Sequence, residues 1–146
     1  MTTRAAVVVD LDAVLGDTEP LWRAWLEDAQ RRCRVELADG TDEAALDAAV
    51  GNWRALLTRF AEDHARVYLR PDAAANAELR RLAAAGVSIG AFTPRPEPLA
   101  RVAAAYLGVA RRLERLEAGP GALDRLLDAL GRDAVVIRSL AELRSA

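Results

Sequence analysis

Two aspartates one residue apart, Asp10 and Asp12, close an apolar run in Ala5-Ala-Val-Val-Val-Asp10-Leu-Asp12-Ala-Val-Leu15-Gly-Asp17. That is how a buried strand delivers carboxylates to the rim of a sheet. Carboxylate chemistry at such a rim depends on the positive charge and hydroxyl groups that accompany it. All 20 basic residues are arginine and there is no lysine. Any step that needs an ammonium group must therefore be done by something else, because a planar guanidinium is not its equivalent.

The elements that must position these acids follow from periodicity. Val7, Val8 and Val9 are β-branched and consecutive, which reads as a strand buried on both faces, the kind found in parallel sheets. From Glu19 the period becomes helical, with Trp22, Trp25, Leu26 and Ala29 on one stripe and Pro20 in the first turn. Ala38-Asp-Gly-Thr41 breaks the pattern. Thr41 is the expected N-cap of a helix over 44–50. Gly51-Asn52 then opens a helix whose stripe is Trp53, Leu56, Leu57, Phe60 and His64. Asp72 is the expected cap of a helix over 73–85 that closes at Gly86.

Val87-Ser-Ile-Gly-Ala-Phe92 reads as a second strand. Three prolines make Thr93-Pro-Arg-Pro-Glu-Pro98 a loop. Leu99, Val102, Ala103 and Tyr106 mark a helix ending at Gly108. Residues 109–116 are ambiguous, with a short strand open, and Glu117-Ala-Gly-Pro-Gly121 reads as a turn. Leu123, Leu126, Leu127 and Leu130 form an amphipathic helix, 134–137 a third strand, and 140–146 a terminal helix. Strands alternating with helices imply a three-layer Rossmann-like α/β fold with a parallel sheet. Sites in such sheets lie at the carboxyl ends of the strands. Here those ends are Asp10/Asp12, Thr93 and Arg138/Ser139.

These residues, in this order, resemble the haloacid dehalogenase (HAD) superfamily of phosphatase-type hydrolases. The resemblance rests on Asp10-Leu-Asp12-Ala-Val-Leu15-Gly-Asp17-Thr-Glu-Pro, on Ile89-Gly-Ala-Phe-Thr93, and on the order of later elements. It implies a core of residues 1–17 and 71–146, with a small α-helical cap inserted at 18–70. It implies that Asp10 attacks a phosphoryl group to form an aspartyl-phosphate and that Asp12 handles the proton of the leaving oxygen. Thr93, with Arg138 and Ser139 at the end of the last strand, would bind phosphate. Magnesium would sit on Asp10 and the Asp12 carbonyl, with an acid from the last strand.

The same alignment exposes departures. Arg138 falls on that last acid, Gly119 on the family's lysine, and Pro94 on a residue that normally offers a backbone N–H, which proline lacks. Arg138 and Arg95 are the candidates to replace the lysine. Glu142 falls on the second acid of the last motif. Two readings stay open. One is a degraded site, weakly active or non-catalytic, that binds a small phosphorylated molecule or a protein partner. The other is an active phosphomonoester hydrolase resembling a phosphoglycolate phosphatase, working through Asp10. A structural subunit associating through its tryptophan-rich helices, and hence an oligomer, is a third.

Elsewhere the residues read as structural. His64 belongs to an apolar stripe, Cys33 to the core, and Arg111, Arg112 and Arg115 to a solvated face. A net charge of −2 gives no footprint for nucleic acid. No run approaches the ~20 apolar residues of a membrane span. Met-Thr-Thr-Arg followed by a strand is not a signal peptide, and a lone cysteine suits a reducing cytoplasm.

Overall fold

The computed structural model describes residues 5–38 and 40–146. The N-terminal Met-Thr-Thr-Arg and Asp39 of the expected break lie outside the described residues. Among the described residues four strands form one parallel sheet in the order β3-β2-β1-β4: β1 (Ala6–Asp10), β2 (Ser88–Thr93), β3 (Arg115–Ala118) and β4 (Val135–Ile137). Parallel neighbours need long crossovers. Helices α1 (Glu19–Cys33), α2 (Glu43–Ala49), α3 (Trp53–Tyr68) and α4 (Ala73–Ala84) lie in sequence between β1 and β2. Helices α5 (Glu97–Tyr106), α6 (Ala122–Leu130) and α7 (Leu140–Ser145) follow β2, β3 and β4 respectively.

The valine run is buried on both faces because it occupies the centre of the sheet. Val7 and Val9 join a large apolar cluster with Ile89, Leu99 and Leu79, whereas Val8 faces Phe92, Ala122 and Leu126 beneath α6. Gly90 lets α6 lie close on the sheet, since a Cβ there would stand 2.6 Å from Leu130 Cδ1. The large cluster runs without interruption from the sheet into α1–α3 through Trp22, Trp25, Trp53 and Leu57. The rings of Trp22 and Trp25 stack at 5.5 Å.

Several expectations need correction. Residues 117–118, expected in a turn, form the end of β3, paired to β2 through Phe92↔Glu117 and Thr93↔Ala118. As an edge strand it shows no continuous apolar run. Glu97 and Pro98, expected in the loop, begin α5. The cap of α2 is Asp42, whose carboxylate accepts from Ala45 N–H at 2.8 Å, while Thr41 instead donates its hydroxyl to the Ala38 carbonyl. The buried stripe of α3 is Trp53, Leu57, Ala61 and Ala65, with Leu56 39% exposed. The two alanines let α5 pack closely against it. Cys33 is exposed at the end of α1 rather than in the core. His64 stacks on Phe60 at 4.0 Å, as a packed residue should.

Candidate functional site

β1 ends at Asp10 and passes into one wide helical turn over Leu11–Leu15, closed by Gly16 N–H donating to the Leu11 carbonyl at 2.9 Å. Asp10 caps this turn by accepting from Ala13 N–H at 3.2 Å. Gly16 lets Leu107 pack against the turn, since a Cβ there would stand 2.7 Å from Leu107 Cδ2. The wide turn keeps Asp10 and Asp12 on the carboxyl edge of the sheet, both part-buried.

Asp12 is the best-connected residue at this edge. Its Oδ2 accepts from the Thr93 hydroxyl at 2.6 Å. Its Oδ1 accepts from Thr18 N–H at 3.0 Å and from the Thr18 hydroxyl. Thr93 and Thr18 are fully buried. Arg95 closes the circuit: its backbone N–H donates to the Thr93 oxygen at 3.3 Å, and its Nε donates to the Thr18 oxygen at 3.2 Å. A buried hydroxyl that both donates and accepts is satisfied, so the ring costs little desolvation. Sequence reasoning had no role for Thr18. Its position before Glu19-Pro20 resembles a helix cap, but the side chain makes no capping bond and turns to Asp12 instead.

The structure brings Arg138 to the same edge. Its Nη1 stands 3.8 Å from Asp10 Oδ2, and its guanidinium lies 5.6 Å from the centre of the Phe92 ring. Ser139 and Glu142 pair with each other at the start of α7, where Ser139 is the N-cap. Glu142 N–H donates to Ser139 Oγ at 3.1 Å, and that hydroxyl donates to the Glu142 carboxylate at 3.2 Å. A serine hydroxyl accepting from the third helical N–H is the usual way a serine caps a helix start.

Gly119 follows β3, with φ of 85° and nothing within 4 Å of its Cβ direction. Arg125 holds that loop by donating to the Ala118 and Pro120 carbonyls, each at 2.6 Å. Beside it a cleft of about 410 Å³ opens between Trp22, the start of α2 and the loops after β2 and β3.

The residues present do not fit a divalent cation. Among the described residues no three acids, histidines or cysteines stand together as a metal site. The place of the third acid is held by a cation lying against Asp10. A metal would have to displace that guanidinium or accept its repulsion, which at ~4 Å and an effective dielectric of ~20 is about 4 kcal/mol per unit-charge pair.

No protein-family model matches the chain, and no curated protein matches its sequence. Solved structures do match by shape. A Thermotoga maritima protein named as a beta-phosphoglucomutase superposes with a TM-score of 0.58 at 18% identity, over 90% of this chain and 74% of its own. A Streptococcus pneumoniae hydrolase of the haloacid dehalogenase-like family gives 0.52 at 15%, over 94% and 76%. A Haemophilus somnus protein named as a phosphoglycolate phosphatase gives 0.55 at 16%, over 88% and 72%. The chain therefore has the HAD-like fold expected from its motifs, with a Rossmann-like parallel core.

Proposed function

We propose that this HAD-like protein binds a phosphate-bearing ligand at the carboxyl edge of its sheet without efficient turnover. Residues 18–70 would serve as the helical cap over that edge. The observation that carries the reading is the double engagement of the two acids. Asp12 accepts hydrogen bonds on both oxygens, from Thr93 and Thr18, and Asp10 faces Arg138.

Phosphoryl transfer to a carboxylate needs preorganised positive charge, because nucleophile and substrate repel one another. Here neither a lysine nor a fitting metal site supplies it. Thr93 gives its hydroxyl hydrogen to Asp12. Pro94 has no N–H to offer, and the next N–H, that of Arg95, is spent on Thr93. Each unmet demand of ~1.4 kcal/mol in the transition state costs a factor of ten in rate. Binding asks for less, since two arginines flank the edge and either can hold an anion.

A second reading, hydrolysis through Asp10, is favoured by the exposure of that carboxylate, 21% by side chain. A panel of phosphate monoesters, assayed with and without magnesium beside Asp10→Asn, separates the two. The expected result is no turnover above the level of the variant and no rise in thermal stability with magnesium. Turnover abolished by Asp10→Asn would overturn the proposal.

A further inference from the structure

The cleft beside Gly119 has the size of a small-molecule site. Trp22, Pro94, Pro96 and Pro120 give it stiff apolar walls. No side chain enters from Gly119, whose Cβ direction is open. Arg95 lines it from the core side and is part-buried. Its Nε and its backbone N–H are both anchored in the Asp12 ring, so the guanidinium is already oriented. Among the described residues no carboxylate pairs with that guanidinium, whereas Arg125 and Arg132 lie against Glu117, Asp124 and Asp128. On the opposite rim, Asp42 caps α2 and Glu43 lies 3.5 Å from Arg54.

We infer that this cleft is a metal-independent site for a flat, apolar molecule carrying a single carboxylate or phosphate group, with Arg95 as the anion-binding fork. The inference rests on the non-catalytic reading above and names which arginine holds the ligand. A planar guanidinium presents parallel donors that match both head groups. Its orientation is set before binding, so little side-chain entropy is lost on capture. The exposed Pro94 and Pro120 offer apolar faces to a flat ring, and the buried Trp22 closes the cleft behind them. The acids on the far rim disfavour a second negative charge there, which selects a ligand anionic at one end.

Calorimetric titration with phenyl phosphate, benzoate and inorganic phosphate tests this. Both aromatic anions share the recognised chemistry, and the tighter one identifies the head group. Inorganic phosphate, lacking the ring, is expected to bind more weakly than either. Arg95→Gln is expected to weaken binding at least about tenfold, the loss typical of hydrogen bonds to a charged group. Arg95→Lys, which keeps charge but not the fork, should fall between. Because Arg95 also braces Thr18, Ala44→Phe provides an independent arm: it fills the cleft from an exposed position on α2 and should also block binding.

Arg111→Gln, an exposed change away from the cleft lining, should leave binding unchanged. Unchanged affinity in Arg95→Gln, or no binding of either aromatic anion by the folded protein, overturns the inference. Loss in Arg138→Gln with retention in Arg95→Gln places the anion beside Asp10 instead, so the cleft fails while non-catalytic binding stands. Hydrolysis of phenyl phosphate that needs Asp10 overturns the non-catalytic reading, and the benzoate titration still judges the cleft by itself.

Discussion

Arg138 meets Asp10 at 3.8 Å with its own side chain 56% exposed, so the pair adds little stability, ~0–1 kcal/mol. Its consequence is for what can bind. Arg138→Asp would restore a third carboxylate to the edge, and this variant is expected to gain a magnesium-dependent rise in melting temperature that the parent lacks. An equal rise in both proteins, by differential scanning fluorimetry, would contradict the account of the metal site. Asp12 is the opposite case. Asn at this position would turn an N–H₂ toward one of the donors now satisfied by a carboxylate oxygen. Asp12→Asn is expected to cost about 1–3 kcal/mol in urea denaturation. Combined with Thr18→Val it should be less than additive, because both changes break one network. Additivity would mean that the Thr18–Asp12 contact contributes nothing.

At the scale of elements, the edge strand β3 and the close seat of α6 matter most. Glu117 on β3 is pushed up by burial, but hydrogen bonds and charge from Arg115 and Arg125 outweigh this and leave its carboxyl below the usual range. A lowered carboxylate contributes stability that is present above the ordinary glutamate pKa and is lost as pH falls through the lowered folded value. Glu117→Gln is therefore expected to flatten the acid limb of a stability–pH curve while leaving the curve's shape near neutrality. An unchanged acid limb would remove Glu117 from the account. Gly90 makes a separate prediction. Gly90→Val would drive methyl groups into Leu126 and Leu130, and an overpacked contact of this kind costs about 1–3 kcal/mol. A shifted chemical-denaturation midpoint measures it. The close approach was invisible in sequence, where Gly90 was simply one residue of a strand.

For the molecule as a whole, the apolar cluster that joins sheet to α1–α3 implies cooperative unfolding. Tryptophan fluorescence reports only from the helices, since Trp22, Trp25 and Trp53 all lie there. Far-UV circular dichroism reports from the entire chain. The two transitions are expected to coincide, and Leu57→Ala, which empties a fully buried position, should shift both together by about 2–5 kcal/mol. An earlier fluorescence transition would show instead that the helical segment melts by itself. No helix among the described residues is long and apolar enough to cross a membrane.

Local rules carried the order of elements. The valine run, the cap at Asp72, and the stops at Gly86 and Gly108 are legible because each depends on neighbours a few residues away, whereas Ser139, expected at phosphate, proved to be the cap of α7. The alignment of Asp10, Asp12 and Thr93 at one edge was legible too, since parallel strands put their carboxyl ends together. What needed the tertiary structure was every contact across long separations. β3 became a strand only by pairing with β2, and Asp12 found its partner Thr93 at a distance of 81 residues in sequence. Thr18 left the helix it precedes for a buried carboxylate, and Arg95 was oriented by two hydroxyls on different elements. Sequence named the acids, and the fold decided which donors they accept from and which arginines stand beside them.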